Sequence, residues 1–135
     1  MNIQNESIKK RILVVDDETN SRELLSMILM DMGFEVVTSS NGYEALGEMH
    51  KSTFHLIISD INMHGMSGWE LTQCIRQLNL KTPIILITGD DTTKTENNAI
   101  GMNINGVMYK PFRINDLRNM VAKLSVPEKM AIHIC

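Results

Sequence analysis

The sequence predicts an α/β fold: a parallel sheet with helices on both faces. Three observations predict it. Ile12–Val15, Phe54–Ile58 and Pro83–Ile87 are short, almost uninterrupted apolar runs, as strands buried on both faces require. Between such runs, apolar residues recur three and four positions apart, the period of an amphipathic helix. The two kinds of segment alternate along the chain with short turns between them. Alternation of this kind makes a parallel sheet, and right-handed crossovers then place helices on both of its faces.

The first unit runs from Lys9-Lys-Arg11 into strand Ile12–Val15, an acidic turn Asp16-Asp17-Glu18, and a helix from Glu18 to about Met32. Leu24/Ile28 and Leu25/Leu29/Met32 give that helix its period, and Gly33 stands where a C-terminal glycine is expected. Glu35–Thr38 is a second strand. Asn41, with Glu44 three residues on, reads as an N-cap with a capping-box-like partner. The helix behind it, about Gly42 to His50, carries Tyr43, Leu46 and Met49 on one face. The third strand ends at Asp60 and enters a loop with Gly65 and Gly68. Ser67 and Glu70 form a Ser-x-x-Glu box opening a third helix, with Leu71, Ile75 and Leu78 inward.

Pro83–Ile87 is the fourth strand, followed by Thr88-Gly89-Asp90-Asp91. Thr92 to Ile100 is polar and has few apolar anchors, so it is expected to be a weakly held fourth helix. Gly106–Tyr109 is the fifth strand, ending at Lys110-Pro111. Ile114, Leu117, Met120, Val121 and Leu124 define the fifth helix, which Pro127 stops. The expected organisation is a polar extension (1–10), one domain (11–125) and a short tail (126–135).

A chain of 135 residues is one domain's worth, with a net charge of −3 that offers no basic footprint for nucleic acid. No apolar run approaches the roughly 20 residues that cross a bilayer. The first ten residues lack the apolar core of a secretory signal. The two cysteines, one of them the last residue, give no disulfide framework. These features lead us to expect a soluble, cytoplasmic protein. The eleven methionines read as adaptable core filler.

Function in an open α/β sheet lies beyond the carboxyl ends of its strands. Asp16 and Asp17, Asp60, Thr88 and Lys110 follow strands one, three, four and five. Three carboxylates at one edge cannot all remain charged without a cation, and hard oxygen donors suit Mg2+. Beside such a cation Asp60 can act as a nucleophile toward phosphorus. Lys110 would neutralise charge on the transferring group, and Thr88 would donate a hydrogen bond to one of its oxygens.

Asp16-Asp17, Asp60 with Met63 and Gly68 after it, Thr88-Gly89 and Lys110-Pro111-Phe112 together resemble the receiver domain of two-component response regulators. The likeness is to the single-domain, chemotaxis-regulator type and spans about residues 10 to 125. It implies a flavodoxin-like (βα)5 fold with strand order 2-1-3-4-5. Asp60 is similar to the phosphoacceptor. Asp17 resembles the direct Mg2+ ligand, Asp16 its water-mediated neighbour, and Asn62 a third ligand through its backbone carbonyl. Thr88 and Lys110 resemble the switch hydroxyl and the phosphoryl-binding lysine, and Lys110-Pro111 is expected to be cis. The resemblance also implies partners. These are a sensor histidine kinase or phosphotransfer protein as donor, a downstream protein at the face of the fourth helix, fifth strand and fifth helix, and a homodimer on phosphorylation. A small phosphodonor could replace the kinase. By this reading the chain is not an enzyme acting on other substrates, but a phosphoacceptor that assists its own phosphorylation and dephosphorylation.

Three positions depart from the family pattern. His64 stands where proline is usual and reads as a solvent-exposed loop histidine. Val107 stands where an aromatic side chain often turns inward on phosphorylation. Asn103 replaces a common glycine, and asparagine tolerates the left-handed conformation. Rival readings fare worse. A haloacid-dehalogenase-type phosphatase needs Asp-x-Asp after the first strand, which Asp16-Asp17-Glu18 does not provide. A flavin-binding flavodoxin needs a Ser/Thr-rich phosphate loop at that place. A phosphorylation-independent interaction module remains the alternative, with Val107 as its main support.

Overall fold

The structure is a computed structural model and describes residues 9–78, 80–89 and 101–125. Five strands form one parallel sheet in the order β2-β1-β3-β4-β5. They are β1 (Arg11–Val15), β2 (Glu35–Ser39), β3 (Leu56–Asp60), β4 (Ile84–Thr88) and β5 (Gly106–Tyr109). The described helices are α1 (Thr19–Asp31), α2 (Gly42–Lys51), α3 (Gly68–Gln77) and α4 (Ile114–Leu124). Helix α4 is the fifth helix of the sequence reading. The expected fourth helix, the N-terminal extension up to residue 8 and the tail from 126 lie outside the described residues.

Each central strand buries both of its faces. Ile12, Val14, Leu56, Ile58, Ile85 and Ile87 pack with Leu25, Ile28 and Leu29 of α1 and Leu117 and Val121 of α4. Leu13, Val15, Ile57, Ile84 and Leu86 pack on the other side with Ala45 of α2 and Leu71 and Ile75 of α3. That two-sided burial is why the strands read as continuous apolar runs rather than alternating ones. Every residue of β3 and β4 is buried.

Local chemistry sets the helix ends. Gly33, at φ +97°, ends α1: its N–H donates to Met30 O at 2.9 Å and the Phe34 N–H to Leu29 O at 3.2 Å, a Schellman arrangement. Ser67 opens α3 with a complete capping box: its hydroxyl accepts from Glu70 N at 3.2 Å, while the Glu70 carboxylate accepts from Ser67 N at 3.1 Å. The box expected at Asn41 is only half formed. The Asn41 side chain accepts from Glu44 N at 2.9 Å, but the Glu44 carboxylate accepts from Ser40 N and its hydroxyl.

Four apolar residues assigned to helix periods lie outside the core. Leu24 is 50% exposed, Leu78 48%, Ile114 47% and Tyr43 68%. Leu78 is the C-cap of α3, beyond its last full turn, and Ile114 is the first residue of α4, so neither end reaches the sheet. On α2 the buried position is Ala45, with Leu46 and Met49 partly buried beside it. Asn103 adopts φ +58°, and Lys110-Pro111 is cis, both as expected.

Candidate functional site

The site forms where β1, β3, β4 and β5 end. Asp16 extends the ladder, its N–H donating to Ser39 O at 3.1 Å, and its own carboxylate turns back to accept from Glu18 N at 2.9 Å. The Arg22 guanidinium donates to Asp16 O at 2.8 Å, tying the acidic turn to the first turns of α1. Asp60 is the last residue of β3, and the next N–H, of Ile61, still pairs with Ile87 O at 2.9 Å. Lys110 follows β5 and donates from its backbone to Thr88 O at 2.8 Å. The sheet register itself therefore brings Asp60, Thr88 and Lys110 side by side.

Helix α3 closes one wall. Gly68 donates to Ile61 O at 2.9 Å, and a Cβ there would lie 2.5 Å from Asp60 O and 2.9 Å from Ile61 Cα. Only glycine lets the helix come so close to the backbone that carries Asp60. An open depression of about 530 Å³ lies above, bounded by Asp17, Asn62, His64, Ser67, Trp69 and Thr88.

The charges are uneven. Carboxylate oxygens of Asp16, Asp17 and Asp60 come within 4.8 Å of one another. Asp16 and Asp60 are buried, at 2% and 8% exposure. Lys110 Nζ lies 3.3 Å from Asp60 Oδ2, so among the described residues one ammonium faces three carboxylates. Burial pushes the Asp16 carboxyl above its ordinary range and the Asp60 charge adds to the rise; the Glu18 hydrogen bond and Lys110 oppose it. Asp17 moves the other way. Its Oδ2 accepts from His64 Nδ1 at 2.9 Å and from His64 N at 3.0 Å, and these bonds, the ring's first, hold the carboxyl below its ordinary range. Three hard oxygen donors with a charge surplus fit a divalent cation such as Mg2+, which takes few protein ligands and retains its waters.

The sequence-predicted residues Asp16, Asp17, Asp60, Thr88 and Lys110 thus meet at one edge, and Asn62 borders the same depression. Asp90 lies outside the described residues. Sequence reading missed the part of His64, which it placed in solvent. The ring is indeed solvent-exposed, yet it reaches across to Asp17. The only sequence signal was the replacement of a proline by a residue that has an N–H.

A family model described as the response regulator receiver domain matches residues 12–122. Among curated relatives, the sensor histidine kinase RcsC of Escherichia coli (strain K12) is 33% identical over 107 residues, 79% of this chain and 11% of that protein. The two-component response regulator ARR14 of Arabidopsis thaliana is 33% identical over 112 residues, 82% of this chain and 29% of that one. The chain therefore spans a minor part of these relatives' length. Among solved structures, the chemotaxis protein CheY4 of Vibrio cholerae superposes with a TM-score of 0.82 at 31% identity, covering 87% of this chain and 99% of its own. The response regulator TrrA of Thermotoga maritima, solved in complex with Mg2+ and BeF, gives 0.77 at 38% identity, covering 85% and 98%. The chain belongs to the response regulator receiver domain family.

Proposed function

We propose that this domain accepts a phosphoryl group on Asp60 from a histidine kinase, a phosphotransfer protein or a small phosphodonor, and signals to protein partners by a change of shape. The observation that carries the reading is the meeting of Asp16, Asp17 and Asp60 within 4.8 Å, with Lys110 on Asp60 and Thr88 at the neighbouring strand end. Asp17, Asp60 and the Asn62 carbonyl would hold Mg2+, with Asp16 acting through a bound water. When bound, the cation neutralises charge on the transferring phosphoryl group. An Asp60 carboxylate oxygen forms the new P–O bond while the bond to the donor breaks, the P–N bond of a phosphohistidine or the P–O bond of acetyl phosphate. Lys110, now at 3.3 Å from Asp60, pairs with a phosphoryl oxygen, and the Thr88 hydroxyl donates to another. Water attack at phosphorus reverses the modification, so the chain assists its own dephosphorylation and turns over no other substrate.

New charge and acceptor oxygens at Asp60 draw Thr88 and its loop inward, which biases a two-state element. The output face is β5, an edge strand, together with α4 and the segment before β5. That surface would also carry a phosphorylation-dependent homodimer, and cytoplasmic action fits this chemistry. In the described residues no helix is long and apolar enough to cross a membrane. Trp69 borders the depression, which makes its fluorescence a probe of the site. Mg2+ should quench Trp69 fluorescence, and acetyl phosphate should then produce a second, slower change. Asp60→Asn should lose that second change; its persistence in the variant would contradict the assignment.

A further inference from the structure

We infer that His64 is a positioning residue for the metal site, fixing the Asp17 carboxylate so that a divalent cation meets a preset ligand. The inference rests on the phosphoacceptor reading above and deepens it.

Two hydrogen bonds from one residue converge on one oxygen: His64 N at 3.0 Å and His64 Nδ1 at 2.9 Å, both to Asp17 Oδ2. An ionised carboxylate only accepts, so the ring nitrogen facing it carries the proton. Among the described residues nothing else holds the ring in place: the His64 side chain is fully exposed and fills no core. Ordering an exposed side chain costs rotamer entropy, and here the bond that offsets it is to a proposed metal ligand. Packing alone does not explain the contact.

The loop is built to deliver that N–H. Gly65 turns it at φ +77°, Met66 is 8% exposed and seats against Gly42, and the Ser67 capping box fixes the exit into α3. A proline at position 64 would have neither an N–H nor an imidazole. This chain therefore has two donors on Asp17 that the usual family residue lacks.

Mg2+ demands near-octahedral geometry and binds carboxylates through single oxygens. Held at Oδ2, the Asp17 carboxylate would offer its other oxygen to the cation. Hydrogen bonds of this outer kind typically change metal affinity by about 10–100-fold. His64 acts through Asp17 and need not touch the ion.

The test is the Mg2+ dissociation constant of the full chain, measured by calorimetric titration and by Trp69 fluorescence, for wild type, His64→Ala, His64→Asn and His64→Pro. His64→Ala keeps the backbone donor and should weaken binding by about tenfold. His64→Asn places an amide N–H near the position of Nδ1 and should restore most of the loss. His64→Pro removes both donors and should be weakest; if it fails to fold, the Ala and Asn pair still decides. Equal or tighter binding by His64→Ala overturns the inference, the tighter case meaning that His64 competes with the ion for Oδ2. Failure of Asn to rescue overturns it as well. Absence of Mg2+ binding in wild type would instead remove the phosphoacceptor reading, and this inference with it.

Discussion

At the scale of single residues, the two adjacent carboxyls after β1 are held in opposite ways. Asp16 is buried and its pKa is raised, so the folded state keeps its proton to higher pH than the unfolded chain does. Its ionisation therefore weakens the metal-free fold as pH climbs from the ordinary value of 3.8 toward neutrality. Asp16→Asn should raise the metal-free thermal midpoint at neutral pH by a few degrees, flatten its fall with rising pH, and weaken Mg2+ binding. A lowered midpoint would show that the charge's attraction to Lys110 and its strengthening of the Glu18 N–H bond outweigh the cost of burying it. Asp17 has the reverse sign. Its depressed pKa stabilises the fold above the unfolded value, and that contribution is lost as pH falls through the folded value. Asp17→Asn should lower or leave unchanged the metal-free midpoint, as differential scanning calorimetry would show. The identities at this scale were legible: Asp16, Asp17, Asp60, Thr88 and Lys110 each follow a recognisable strand, and a strand end fixes where a side chain emerges. The His64–Asp17 contact was not, because it joins two loops 47 residues apart and depends on backbone geometry that no local pattern encodes.

At the scale of elements, α3 matters most to the site at its start and to the fold at its end. Gly68 sits 2.5 Å, measured from an added Cβ, from the Asp60 carbonyl oxygen, so Gly68→Ala must push α3 or the backbone of Asp60 aside. We expect a loss of about 1–3 kcal/mol in urea unfolding, as for other overpacked positions, and slower phosphorylation by acetyl phosphate. At the other end, the Arg76 guanidinium donates to Leu80 O at 2.8 Å, Thr82 O at 2.9 Å and Asn103 O at 2.8 Å. One side chain thereby joins the α3–β4 connection to the approach to β5. Arg76→Ala leaves these carbonyls without their charged donor and should destabilise by about 1.5–3 kcal/mol, with lysine restoring only part. Equal stability of the alanine variant would mean that water replaces all three bonds. Element positions were largely legible, from the Ser67 box and the Gly33 terminus especially. The exposure of Leu78 and Ile114 was not, since helical spacing gives a face but not how far along the helix the sheet extends beneath it. Leu24 lies mid-helix next to buried Leu25, at the margin of the buried face, whose width spacing does not fix.

At the scale of the whole molecule, stability and chemistry separate. The core lies in two layers on either side of the sheet, while the candidate site lies at one edge of it. Ile58→Ala, at a fully buried position of β3, should lower stability by about 2–5 kcal/mol. The surviving folded fraction should keep its phosphoacceptor chemistry, because Ile58 faces the α1 and α4 side rather than the depression. Sheet topology was legible through the family resemblance, since apolar runs alone give strands but not their order. Val107 pairs with Leu86 across β4 and β5 and is partly buried, so the usual aromatic swing has no side chain to make it. Under the proposed function, switching would then rest on Thr88. The proposed function rests on covalent chemistry at Asp60. Intact mass after incubation with acetyl phosphate measures it directly, with and without Mg2+, for wild type and Asp60→Asn. A Mg2+-dependent gain of one phosphoryl group by wild type, absent in the variant, is the predicted result. No gain by wild type in the presence of Mg2+, or an equal gain by Asp60→Asn, would contradict it.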